Sequence, residues 1–224
     1  MNAALTTSLA ERIADLGGIA FERIRSVPQP GTATIEDLNR ANAAHDVRCE
    51  LVDNTLVEKA MGWRESLLAA VLLHWLKTHL DSNNVGVATG ADGLTQLFPG
   101  VVRGPGVALV LWGTLPQGQL PEDAVPALVP DFVIEILCLG NTRAEMARKR
   151  REYFQAGVQL VWMVDPRSRT IAAYQTPEDV TVFAGRESIS GGEVLPTWTF
   201  SVAALFAELD RTAPTEELQD GMSS

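Results

Sequence analysis

Three side chains stand out for the chemistry they could do: Glu135, Lys149 and Glu65. Glu135 sits between Ile134 and Ile136 and shares its side of an extended run with Val133 and Leu137, which places a carboxylate in an apolar layer. A charge buried there has to be paired or has to bind a metal. An arginine of the helix that follows would satisfy the first requirement. Lys149 is one of only three lysines; lying three residues after Met146 and four before Tyr153, it falls on the apolar face of its segment and points toward the sheet. The competing reading is a solvated face with snorkelling side chains. Glu65 begins the line through Leu68, Leu72 and Leu76, where it is either a helper acid or a first-turn acid interacting with the helix dipole. A buried carboxylate able to bind a metal and a lysine aimed at the same sheet are therefore the groups whose surroundings decide the chemistry.

Other chemistries find no support. Asp131 and Glu135 are four residues apart on one strand, roughly 13 Å at the usual rise, and cannot hold one ion together. His74 and His79 are five apart on one helix and do not face the same way, and His45 has no partner at ligand spacing. There is neither a GxSxG elbow nor a phosphate-binding loop. Cys49 and Cys138 show no CxxC spacing, so they read as reduced, buried thiols.

The elements that must position these residues follow from periodicity. Trp63 to Leu80 has apolar residues at 68, 72, 76 and at 67, 71, 75, which predicts a helix buried along much of its surface. Short strands follow at Val85 to Thr89, Leu94 to Phe98 and Val107 to Trp112, read as a meander with a turn at Gly90 to Gly93. Phe132 to Leu137 is apolar on both faces except for Glu135 and is predicted to be a central strand. Thr142-x-x-Glu145 is a capping box opening a helix to Ala156, which stops at Gly157 before a buried strand from Val158 to Val164. Upstream, Thr34 caps a short helix, and Arg48 to Leu51 with Leu56 to Glu58 form a hairpin. Downstream come small strands at Ile171 to Tyr174, Val180 to Phe183 and Glu193 to Pro196, then a helix from Val202 to Leu209. The organisation is an N-terminal arm at 1–31, one domain at 32–210 and a flexible polar tail at 211–224.

The 224 residues are 46% hydrophobic and 21% charged, the profile of a single globular domain. Eighteen basic against 28 acidic residues give a net charge of −10, which repels polyanions and membranes at long range. Nucleic acid could bind only at a local basic patch, and Arg143, Arg148, Arg150 and Arg151, read as looking outward, would form one. With no apolar run long enough to span a bilayer and no basic start followed by an apolar core, a cytoplasmic location is expected.

The segments Val129 to Cys138, Asn141 to Val158 and Leu160 to Pro166 together resemble a bacterial family described as restriction endonucleases, the Uma type. Cys49 to Lys59, Met61 to Ser66, Val102 to Val107 and Gly192 to Pro196 are similar to the same family in the same order, so the resemblance covers roughly residues 30 to 210. It implies an α/β fold of the PD-(D/E)XK nuclease superfamily: a restriction-endonuclease-like core with a central mixed β-sheet flanked by helices in αβββαβ order, extra strands and an N-terminal helical arm. It also implies Mg²⁺ or Mn²⁺ held by Glu135 and the Ile136 carbonyl, with Lys149 orienting the attacking water. The family's Arg-x-Pro-Asp-Val reads Arg103-Gly-Pro-Gly106-Val107 here, glycine replacing the metal-binding aspartate. Two readings result: a metal-dependent DNA phosphodiesterase with Glu65 as helper acid, or a non-catalytic homodimeric binding module without a cofactor. They divide on whether another acid, such as Glu50, Glu65 or Asp92, reaches the cleft. The expectation is that none does, leaving one acid and one lysine as a simple ion pair.

Overall fold

The computed structural model describes residues 9–44, 47–60 and 62–212. The elements are α1 (Leu9–Asp15), α2 (Ile35–Ala43), β1 (Cys49–Val52), β2 (Thr55–Glu58), α3 (Trp63–Ser82), β3 (Gly86–Gly90), β4 (Thr95–Phe98), β5 (Val101–Arg103), β6 (Val107–Leu111), β7 (Phe132–Ile136), α4 (Arg143–Ala156), β8 (Leu160–Asp165), β9 (Thr170–Tyr174), β10 (Val180–Ala184), β11 (Ser188–Gly191), β12 (Leu195–Ser201) and α5 (Val202–Ala207). Six strands form one sheet in the order β10-β9-β8-β7-β6-β3. Only the β7–β8 pair is parallel, with Glu135 opposite Met163, because α4 carries the chain across between them. The mixed sheet flanked by helices follows the expected αβββαβ order as α3, β3, β6, β7, α4, β8.

The meander is corrected. β3 pairs with β6, not β4, while β4 and β5 form a hairpin that leaves this sheet and joins a second one in the order β2-β1-β5-β4. Glycine at position 100 makes the excursion possible. Its φ is +78°, and a β-carbon there would lie 2.5 Å from Asn54 Oδ1 in the β1–β2 turn, whose amide donates to the Gly100 carbonyl. Asp53 and Asn54 both have positive φ, the two-residue turn that suits a tightly twisted hairpin. The downstream reading is also revised: the strand placed at 193–196 runs from Leu195 to Ser201 and pairs with β11.

The strand β7 divides two packing layers by its alternation. Phe132, Ile134 and Ile136 face α3, β11, β12 and α5, in a cluster that includes Leu68, Leu72, Leu76, Trp162 and Trp198. Trp162 and Trp198 stack at 5.4 Å, with Phe132 edge-on to Trp162 at 4.8 Å. Val133 faces the other way, onto Met146 and Tyr153 of α4. The arm adds a small cluster of its own, with Leu16, Ile19 and Ile24 packed on Val52 and Val57. Residues 1–8 of the arm and 213–224 of the polar tail lie outside the described residues. No described helix is long and apolar enough to cross a membrane.

Leu72 is fully buried at the centre of α3. We expect Leu72→Ala to cost about 2–5 kcal/mol through lost transfer energy and an unfilled cavity. Urea unfolding would show this as a lower midpoint at unchanged slope. An unchanged midpoint would place α3 outside the core.

Candidate functional site

The polar stripe of α4 is what builds the site. Thr142 caps the helix by accepting from the Glu145 amide, and Glu145 accepts in return from the Thr142 amide, fixing the first turn. Gly157, at φ +115°, ends it. Between them Glu145, Lys149, Glu152 and Tyr153 recur at helical spacing, and all four are buried. This face meets β7 of the first sheet and β1 and β5 of the second.

At the centre Lys149 Nζ donates to Glu135 Oε1 at 3.1 Å and to Glu50 Oε1 at 3.0 Å. The Tyr153 hydroxyl donates to the same Glu135 oxygen at 2.6 Å. Glu50 comes from β1 and receives two further bonds, from Arg103 Nη1 at 2.8 Å and from the Gly104 amide at 3.1 Å. Arg103 then bonds Glu152 Oε2 through Nε and Nη2 at 2.8 and 2.5 Å. The expectation of one acid beside one lysine is therefore corrected: Glu50 reaches in, and two carboxylates share the ammonium. Nor does Glu135 pair with an arginine of the following helix, because Lys149 and Tyr153 take its oxygen.

Burial penalises every charge in this cluster, and the partners decide the outcome. For Glu50, burial pushes the pKa up, but Lys149 and then Arg103 outweigh it and hold the carboxyl well below the usual range. For Lys149, burial pulls downward while Glu135 and Glu50 raise it above its ordinary value. Tyr153 is pushed well up, by burial first and by Glu135 second. Asp131 belongs elsewhere: it accepts from the Leu111 amide, Thr114 and Gln159, tying loop ends together.

Gly106 immediately precedes β6, which pairs with the Glu135 strand, and both residues line one small cavity with Ile136 and Lys149. A β-carbon at 106 would lie 3.1 Å from the Ile134 carbonyl oxygen and 3.3 Å from Ile136 Cγ1, so a side chain there would aim along β7 at close quarters. Glu65 is half-buried and lines the wider cleft outside this cavity, beside Gly62 and Leu139. Its carboxylate folds back over Gly62 into the space a β-carbon would need. Asp92 instead pairs with Arg48 and stays largely exposed.

The outward-looking arginine patch on α4 is also corrected. Arg148, with 17% of its side chain exposed, pairs with Glu152 at 2.6 Å and Asp53 at 2.7 Å and donates to the Asp15 carbonyl. Arg150 lies over the Tyr174 ring at 4.3 Å. Arg143 and Arg151 are exposed. The short helix turn carries two of the four guanidinium groups back onto the protein, where acids and a ring await them.

A model of the family described as "Uma2: Putative restriction endonuclease" matches residues 35–203. The chain belongs to that family. A search of curated proteins found no match. Among solved structures, one described as a "putative nuclease belonging to DUF820 from Anabaena variabilis ATCC 29413" aligns with a TM-score of 0.65 at 17% identity, covering 73% of this chain and 92% of that one. At that identity the likeness is one of fold. The Uma2 match spans both sheets and α4, and so includes every residue of the buried cluster.

Within this Uma2 chain, sequence reasoning singled out Glu135 and Lys149, and the structure brings them together. It named Glu50 only among substitutes and passed over Arg103, Glu152 and Lys59 as members of the cluster. The available signal was the same as for Glu135: Glu50 lies between Cys49 and Leu51 in a strand buried throughout.

The depressed pKa of Glu50 predicts an acid-sensitive fold. Unfolded, Glu50 takes up a proton near its ordinary value of 4.5; folded, it does so only at lower pH. Its stabilising contribution is therefore complete above that value and is lost as pH falls through the folded pKa. We expect Glu50→Gln to lower stability at pH 7 by about 3 kcal/mol, since the charges around it lose a partner. Urea midpoints measured from pH 7 to pH 3 should fall less steeply for the variant. Parallel curves would show that Glu50 carries no proton linkage.

Proposed function

We propose that this chain is a degenerate member of a metal-dependent DNA phosphodiesterase line: it keeps the acid and the lysine of the hydrolytic site, lacks the aspartate, and turns DNA over weakly or not at all. The observation that carries this reading is the pairing of Glu135 with Lys149 beside Gly106. The family and the neighbour's fold supply the hydrolytic class; the donor set supplies the degeneracy.

The residues present do not fit a resident Mg²⁺ or Mn²⁺. Both cations depend on carboxylate charge to offset dehydration. Glu135 and Glu50 are already engaged by Lys149, Arg103 and Tyr153, and Gly106 offers no oxygen from a side chain. Among the described residues, no group of three or more His, Cys, Asp or Glu is placed to hold a metal ion. In the arrangement that remains, Lys149 holds the two sheets' carboxylates together, and Tyr153 keeps the shared Glu135 oxygen desolvated.

The alternative reading is a non-catalytic homodimeric binding module. The retained fold around a closed ion-pair cluster favours it over active cleavage.

Mn²⁺ binding and plasmid nicking by wild type, Gly106→Asp and the Gly106→Asp/Glu135→Ala double variant test the reading. The wild type should bind Mn²⁺ no better than millimolar, and an aspartate at 106 should tighten binding about tenfold or more, the value of one added charge-assisted ligand. The gain should vanish in the double variant. Strong wild-type cleavage that depends on Glu135 would overturn the degeneracy, and no metal affinity in any variant would remove the hydrolytic site altogether.

A further inference from the structure

The cavity beside Gly106 is lined by Arg23, Lys59, Lys149 and Asn141 against one carboxylate, Glu135, among the described residues. That is the lining of an anion site. Lys59 follows β2, and its ammonium donates to the Ala91 and Gly104 carbonyls at 2.6 and 2.7 Å. An ammonium has three hydrogens, so one remains for the cavity. Lys149 likewise spends two, on Glu50 and Glu135. Arg23 spends four of its five, on the Glu58 and Gly140 carbonyls and on both oxygens of Glu145. The amide of Asn141 donates to Glu145 and keeps a second hydrogen.

We propose that this cavity, on the reading that its metal site is degenerate, takes a phosphate monoester directly, with the Lys59 ammonium standing in for the cation. Its volume of about 20 Å³ admits one oxygen-sized atom. The wider cleft of about 360 Å³ shares Arg23, Lys59 and Ala60 with it and receives the rest of the ligand. Glu58 and Glu65 on the rim oppose an anion; Glu58 is offset by Arg25 at 3.0 Å. Free phosphate and the terminal phosphate of a DNA strand present the same oxygens.

Calorimetric titration of the full chain in EDTA at fixed ionic strength tests this, with inorganic phosphate, a 5′-phosphorylated oligodeoxynucleotide and its 5′-hydroxyl counterpart as probes. Wild type should bind phosphate saturably, and Lys59→Met should weaken it about tenfold, the worth of one charge-assisted hydrogen bond. Lys59→Arg should restore most of the affinity. If Lys59→Met does not fold, Gly106→Asp serves, since an acid in the cavity should abolish phosphate binding while raising Mn²⁺ affinity. Tighter binding of the phosphorylated strand than of phosphate supports the site with a strand end as its ligand; equal binding supports it with free phosphate. No saturable phosphate binding by wild type, affinity unchanged in both Lys59→Met and Gly106→Asp, or equal binding of the phosphorylated and hydroxyl strands would overturn it. Mn²⁺ binding by wild type tighter than millimolar without EDTA would instead overturn the degenerate-site reading, so the two failures are distinguishable.

Discussion

The Lys149 ammonium, held between Glu135 of one sheet and Glu50 of the other, is the interaction on which the rest of this structure depends. Three carboxylates and two cations are buried between the layers, and burying any one of them alone would cost several kcal/mol. Only a closed network is tolerable. Its closure fixes the rotation of α4, the approach of β1 to β7 and the position of Arg103, which bridges Glu50 to Glu152 on the same helix. The capping box of α4 belongs to this logic, since Glu145 both caps the helix and anchors Arg23 of the arm. The two sheets are thus joined by charge at the centre and by apolar clusters around it.

That closure bears directly on the chemistry. A hydrolytic metal site needs carboxylates with charge to spare, whereas these are neutralised by neighbours at 2.6 to 3.1 Å. Gly106 brings no side-chain oxygen to the cavity it lines. Lys59, half-buried and held by two carbonyls, adds charge of the opposite sign; burial pulls its pKa down while Glu50 supports the ammonium. On the proposed reading, this balance of buried charge sets which sign of ion the cleft favours.

The surface follows a related economy. With a net charge of −10, the arginines of α4 have abundant acids within reach, and Arg148 folds onto Asp53 and Glu152. Of the four arginines clustered in sequence, only Arg143 and Arg151 stay exposed.

The sequence by itself determined the local elements near the site. Apolar periodicity located α3 and β7, Thr142 and Gly157 marked the ends of α4, and the isolation of Glu135 among apolar neighbours marked it as a charge to be satisfied, while Lys149 stood out by its place on the apolar face of α4. These are short-range signals, carried by spacing of 2 or 3.6 residues and by backbone groups that must be capped. Tertiary structure alone decided that β4 and β5 leave the first sheet, that Glu50 crosses 99 residues of sequence to share Lys149, and that Arg148 and Arg150 turn inward. Each of these is a choice among partners that are far apart in the chain. Which strand edge is open, and which charge lacks a counterion, is fixed only once the other layers have packed, because the cost of burying a charge depends on what else is buried with it.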